Sequence, residues 1–521
     1  MSADTAILGA RVVTLDPRRP EATAVAWRSG TIVAVGDDAS VRAACDARTE
    51  LIDARGAVVT PGLVDAHIHP FHVEETRGAD LTRCSTLAEV NAQLARERGN
   101  GWVLGWGLEY GVFGPDAIRG EQLAGEAPTL LTFMDGHTAV ASPAALTAAG
   151  VTGAEPFAES AAIVVDERGP TGELRELAAI DRVRGVVPAL TEAEHRARVV
   201  AILRALNAHG ITGAHAMTGD PPTFDLLREL EDADELSVRL IVPLWQKPET
   251  PWESMLEQVR LRGEHGRLWR GGTAKFFIDG VIDSGTAWLF EPDALGAGTD
   301  PFWPDPDRYA AAVALFSEHG FQCATHAVGD RAVAAALDAY RAAPPGPMHR
   351  IEHLETVRPQ ELGRLAAEGV AASMQPLHMQ WRADDGGDSW SRRLGPDRRA
   401  RAFPTRSLLD RGTLLVLGSD WPVATYDPRV GMCWARFRTA PDGAAGPFER
   451  EQCLTGDEAL RGYTANVAAL VGERDRAGML RAGYRADLTG FGDDPRALGP
   501  ADLLDVPIVL TVVDGKVVHQ E

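Results

Sequence analysis

The sequence predicts an α/β chain: a distorted (β/α)8 TIM barrel with a small β-sandwich formed from both chain termini. Three observations carry that expectation. Eight short apolar runs recur between residues 62 and 420. Helical patterns fall between several of them, and short β-rich runs sit at both ends of the chain.

The eight runs are GLVDAHIH (62–69), ITGAHAM (211–217), VRLIVPL (238–244), TAKFFID (273–279), FQCATHA (321–327), HRIEHL (349–354), VAASMQP (370–376) and TLLVLGSD (413–420). They read as strands of a parallel sheet because helical patterns alternate with them, as in βα units. Among the helical patterns, residues 191–210 put Val199, Ile202, Leu203 and Leu206 on one face. Thr191 and Glu194 form a capping box there, and Gly210 marks the end. Residues 329–343 are expected to be capped by Asp330, and residues 455–472 by a second box of Thr455 with Glu458.

The β-rich ends comprise residues 5–60, 486–492 and 506–518, the last with an Asp514-Gly515 hairpin signal. Their expected pairing divides the chain into 1–60 (first part of the sandwich), 61–480 (barrel) and 481–521 (second part). About 140 residues separate the first two barrel strands, far more than one helix needs. Residues 73–190 therefore read as an insertion, with a Trp-rich stretch at 101–114 and PTLLTFMDGH at 128–137 suggesting a structured cap.

Composition excludes several classes of function. Hydrophobic residues make up 45% and charged residues 24%, ordinary values for a globular chain, and the net charge is −22. That charge argues against nucleic acid and against an anionic membrane surface, both of which need clustered Lys and Arg. No apolar run approaches the roughly 18 residues that span a bilayer. The five cysteines show no CxxC spacing, so neither a disulfide framework nor a zinc knuckle is expected. With no secretory pattern at the N-terminus, a cytoplasmic location is expected. A homo-oligomer remains open.

Barrels present their chemistry at the C-terminal ends of the strands. There the candidates are His67, His69, Lys275, His326, His353 and Asp420. His67 and His69 are two apart on one strand, so both imidazoles point to one side. Taken singly, each histidine also reads as a hydrogen-bonded core residue, and Asp420 as a helix cap. Together they form an imidazole-rich rim suited to zinc and related ions. Asp420 reads as a metal ligand or as the acceptor of a proton from water. Lys275, in an apolar strand, must pair, lose its proton or be modified. A salt bridge with Asp279 or a neighbour, a Schiff base and an N6-carboxylysine all remain open for it. His72 and His215 read as supporting residues.

These residues, with TPGLVDAHIHP (60–70), MDGHTAVASPAAL (134–146), GPTGELRE (169–176), KFFIDGVIDSGTAWL (275–289), THAVGDRAV (325–333), RIEHLE (350–355), SMQP (373–376), LGSDWPV (417–423), YTANVAAL (463–470) and GYRADLTGF (483–491), resemble the amidohydrolase superfamily. The finer pattern is similar to its branch of metal-dependent hydrolases that includes N-substituted formamide deformylases. The resemblance covers nearly the whole chain. It implies a divalent metal site, zinc foremost and with one or two ions. His67, His69, Lys275, His326, His353 and Asp420 match the ligand positions, Lys275 as an N6-carboxylysine in many relatives. It implies Asp420 as the catalytic base and a small-molecule amide, N-formyl or N-acyl amine or cyclic amide as substrate. It also implies the split terminal sandwich. His137, Trp106, Glu109, Gln375 and Trp421 are the candidate substrate contacts, with His378 beside Gln375. The sequence derives no role for Glu173 and Glu176. A lysine Schiff-base carbonyl enzyme and a non-catalytic scaffold on the same fold are the competing readings.

Overall fold

The computed structural model describes residues 2–97, 101–114, 117–440 and 446–521. Its centre is an eight-stranded parallel sheet rolled into a distorted TIM barrel. The barrel strands are β1 (Leu63–Ile68), β2 (Ile211–Ala216), β3 (Arg239–Gln246) and β4 (Trp269–Phe277), followed by β5 (Gln322–Ala327), β6 (Arg350–His353), β7 (Ala371–Met374) and β8 (Leu415–Leu417). They pair in sequence order.

Strand β4 shows how the sequence sorts its faces. Alternate side chains point to opposite sides of a strand. Phe276 goes outward, against Tyr309 and Phe316 of the helix Pro306–Glu318, with ring centres 5.6 and 6.0 Å away. Lys275 and Phe277 thereby turn toward the barrel interior, with the Lys275 ammonium 4.7 Å from the Phe277 ring centre.

The barrel closes through loop contacts between β1 and the segment after β8. Asp420 N–H donates to the His67 carbonyl at 2.7 Å, and His69 N–H donates to the Trp421 carbonyl at 2.9 Å. The buried Asp65 carboxylate accepts from His67 N–H at 3.0 Å and from Ser419 N–H at 3.1 Å. Gly418 makes this approach feasible: a Cβ there would stand 2.5 Å from the His67 nitrogen and 2.9 Å from Asp65 Oδ1. Only a residue without a side chain fits.

Both chain ends enter one β-sandwich. A four-stranded sheet runs in the order Thr31–Gly36, Ala24–Arg28, Thr5–Leu8, Glu50–Asp53. A six-stranded sheet sets the C-terminal strands Leu488–Phe491, Ile508–Val513 and Lys516–Gln520 beside Val58–Pro61, Arg11–Val13 and Glu21–Ala22. Ile7, Val25, Trp27, Val59, Leu488 and Val512 share the core between them. Within the insertion, a separate six-stranded sheet spans Ala79–Asp80 to Gly169–Arg175, on hydrophobic clusters of its own.

Both expected capping boxes form, at Thr191–Glu194 and at Thr455–Glu458. Two expectations are corrected. Asp330 is the first residue of its helix rather than the cap. Gly329 holds the cap position, and the Asp330 carboxylate instead accepts the Phe290 N–H at 3.0 Å. The helix expected over 455–472 is two helices, Gly456–Gly462 and Ala465–Leu470. Thr464, with φ −139° and ψ −95°, breaks it.

Candidate metal centre

The histidines and Asp420 meet at the C-terminal rim of the barrel, where the strand ends deliver them. Asp420 Oδ1 lies 3.2 Å from His67 Nε2 and 2.9 Å from His69 Nε2. Its other oxygen, Oδ2, lies 3.9 Å from His353 Nδ1 and 3.8 Å from His378 Nε2. Asp420 thus stands between two triads, His67/His69/Asp420 and His353/His378/Asp420, each with its ligand atoms within 4.8 Å of one another. Two of these residues sit in the left-handed region, His353 at φ 74° and Asp420 at φ 61°. Non-glycine residues are held there only where the surroundings over-determine them, and such positions cluster at functional sites.

Protonation states suit cation binding. Burial pulls the His69 and His378 imidazoles down to about 4 and holds His326 and His353 well below the usual histidine range. Burial works against ionised Asp420, yet the His67 and His69 imidazoles hold its carboxyl well below the ordinary range. Neutral imidazoles around one carboxylate form a donor set for a divalent transition metal.

His326 lies beside this group, its ring centre 4.3 Å from that of His353. Its Nε2 is 3.0 Å from the Gly280 carbonyl, which leaves Nδ1 as the free ligand atom. Lys275 is fully buried, and its Nζ has no hydrogen-bond partner among the described residues. The expected salt bridge with Asp279 does not form. The Asp279 carboxylate is taken by the backbone N–H groups of Trp288, Val328 and Gly329 at 2.7–3.0 Å. Burial brings the Lys275 amine down to about 8, against the pull of Glu352 and Asp420. Lys275 Nζ and His378 Nε2 are buried polar atoms without a hydrogen-bond partner among the described residues, which is what a site able to hold a cation leaves behind. The residues fit a divalent metal.

A chain of polar contacts holds these imidazoles from behind. Glu352 Oε2 is 2.7 Å from His67 Nδ1, and its Oε1 is 2.8 Å from Arg350 Nε. Arg350 Nη1 then lies 3.0 Å from His215 Nδ1. His69 Nδ1 is 2.5 Å from the Thr218 hydroxyl. His72 stacks on His69 and pairs with Glu75 at 3.0 Å. Such partners fix the tautomer and orientation of ligand imidazoles.

The insertion reaches the same rim through His137, whose ring centre is 5.2 Å from that of His326. Its Nδ1 meets the fully buried Glu176 carboxylate at 2.7 Å. Burial opposes its charge, but Glu176 and then Asp135 hold the imidazole up at about 9. Two clefts flank the centre. Asp135, His137, His326, His353, Asp420 and Val423 line both. One extends to Asp283, Glu355 and Trp390, the other to His72, Thr218 and Trp245.

Trp106, Glu109, Gln375 and Trp421 are not among the lining residues of either cleft. Trp106 sits in the strand Val103–Leu108 of the insertion, and Glu109 follows that strand directly. Gln375 is buried at the start of the 3-10 helix Pro376–Trp381. The Trp421 ring turns to Tyr426, while its carbonyl holds His69. Sequence reading missed Glu352, Thr218, Asp135 and Asp283. Glu352 was the most accessible of them, a carboxylate beside His353 in an otherwise apolar strand.

A β/α barrel with histidines and a carboxylate gathered at its C-terminal rim is the frame in which sequence comparison places the chain. The Amidohydrolase family profile matches residues 50–519, and the chain belongs to that family. It is 29% identical over 497 residues to the YtcJ protein of Bacillus subtilis (strain 168), named as an amidohydrolase, covering 91% of each chain. It is 28% identical over 538 residues to the N-substituted formamide deformylase of Arthrobacter pascens, covering 98% of this chain and 97% of that one. The crystal structure of an uncharacterized metal-dependent hydrolase from Pyrococcus horikoshii OT3 superposes with a TM-score of 0.75 at 22% identity, over 95% of this chain and 99% of that one.

Proposed function

We propose that the chain is a metal-dependent hydrolase of non-peptide carbon–nitrogen bonds in small N-formyl amines, N-acyl amines or cyclic amides. The observation that carries this reading is Asp420, whose two oxygens face two pairs of histidines. His67, His69, Lys275 as an N6-carboxylysine, His326, His353 and Asp420 would hold one or two divalent ions, zinc foremost. His378 is added as a further donor. A bound ion of this kind polarises a carbonyl oxygen and lowers the pKa of water to about 7.

In this reading Asp420 removes the proton from the attacking water as the water oxygen bonds to the substrate carbonyl carbon. It returns that proton to the nitrogen as the carbon–nitrogen bond breaks, and the products are a carboxylic acid and an amine. His137, kept cationic by Glu176, faces the negative charge that develops on the carbonyl oxygen. The formamide deformylase relative supports N-formyl amines as the first substrate class. The same reading divides the chain at 1–60, 61–480 and 481–521, with the 73–190 insertion bringing His137 over the substrate.

The test is a panel of N-formyl and N-acyl amines and cyclic amides incubated with the metal-loaded protein, with products identified by mass spectrometry. Equimolar amine and acid from a linear member, or the ring-opened product gaining one water from a cyclic amide, is expected from at least one compound. No such product across the panel overturns the reading.

A further inference from the structure

At the opposite, N-terminal face of the barrel lies a cavity of about 390 Å³, lined by the starts of β1 to β4 and by residues 464–487. Small-molecule pockets span about 300–1,000 Å³. Its walls hold six arginines against three carboxylates, in a chain whose net charge is −22. Two of those carboxylates are already engaged. Asp487 binds Arg239 at 3.0 Å, and Glu264 binds Arg228 at 2.5 Å.

The third, Glu473, is shared by three guanidinium groups: Arg476 and Arg485 at 2.6 Å each and Arg270 at 3.6 Å. Arg262 donates to the Gly320 carbonyl and has no carboxylate partner among the described residues. One carboxylate therefore faces four guanidinium groups. Burial disfavours the charge on Arg270, Glu473 opposes that effect, and Arg476, Arg485 and Arg262 add to it. Guanidinium groups gathered along one concave surface focus a positive potential there and favour capture of an anion. The Trp269 indole N–H in the same wall also has no partner.

We propose that this cavity binds a small organic anion. Arg262, Arg270 and Arg476 hold its phosphate or carboxylate group, and Ile241, Val467 and Met479 take its apolar body. Guanidinium groups suit both heads because they donate in a planar fork. The site is separate from the metal centre, and the proposal does not depend on the reaction performed there.

The test is calorimetric titration of the metal-loaded, full-length protein with phenyl phosphate and with benzoate, at low and high salt. Saturable one-to-one binding that weakens with salt is expected for at least one probe, and the probe that binds identifies the head group. In an Arg262→Gln/Arg476→Gln variant the affinity should fall at least about tenfold. Both side chains are exposed, and their removal leaves Glu473 paired with Arg485. A second measurement needs no variant: the bound probe should protect Arg262 and Arg476 from phenylglyoxal, read by mass spectrometry. No saturable binding of either probe, binding unchanged in the double variant, or modification of both arginines unaffected by probe overturns the proposal.

Discussion

Glu352 Oε2 stands 2.7 Å from His67 Nδ1, and both groups are buried. That contact commits Nδ1 to the carboxylate and turns Nε2 toward Asp420, 3.2 Å away. A neutral imidazole has one donor and one acceptor nitrogen, so fixing one assigns the other. Glu352 therefore positions the His67 imidazole, and Arg350 holds Glu352 in turn.

Glu352→Gln should weaken metal affinity by about 10- to 100-fold. Metal retention against a graded chelator series measures this. Retention equal to that of the unaltered protein would remove Glu352 from the role.

Asp420→Asn should retain metal, because four imidazoles surround the position, while kcat falls by about 10² to 10⁴ with little change in KM. Metal analysis beside steady-state kinetics separates the two effects. A variant with full turnover would exclude Asp420 as the proton acceptor.

Lys275 carries a buried amine without a partner. Reconstitution with metal should depend on bicarbonate in the unaltered protein and not in Lys275→Met, which should bind fewer ions and lose activity. Borohydride added with substrate should trap no adduct. A trapped adduct at Lys275 would contradict the carbamate and support Schiff-base chemistry.

His137 and Glu176 form an ion pair almost wholly out of water. Removing one partner of such a pair costs about 3–5 kcal/mol. Glu176→Ala should therefore lower the midpoint of denaturant unfolding as well as the turnover rate. An unchanged midpoint would show that the pair is not charged in the folded protein.

Gly418→Ala tests barrel closure. Its Cβ would meet the His67 nitrogen at 2.5 Å, so β1 and the Asp420 loop must separate. Loss of metal together with a lower melting temperature is expected, and a variant indistinguishable in both would refute the close approach as a requirement.

The gathering of histidines and Asp420 at the rim was legible because barrels present side chains at strand ends and because His67, His69, His326 and His353 interrupt otherwise apolar runs. The helix ends at Thr191 and Thr455 were legible because a capping box is local. What escaped was non-local. His378 read, with Gln375, as a candidate substrate contact rather than a metal donor, because it lies on a short 3-10 helix beyond β7 and its approach to Asp420 depends on how that helix folds back. Glu352 gains meaning from a residue 285 positions away. The Lys275–Asp279 pairing failed because backbone N–H groups from two separate loops claim the carboxylate first. Asp330 failed as a cap for a similar reason: Phe290 N–H binds it. Trp106 and Glu109 read as candidate pocket residues; Trp106 lies in a strand of the insertion's own sheet, Glu109 follows that strand, and neither lines the two clefts.

The decisive measurement is hydrolysis of the best N-formyl or N-acyl amine by the protein before and after chelation, with metal added back. Amine release should be lost on chelation, return with a divalent ion, and stay absent in a His67→Ala/His69→Ala variant given the same ion. Undiminished amine release from metal-free protein, or full activity without the two histidines, would contradict the proposed function.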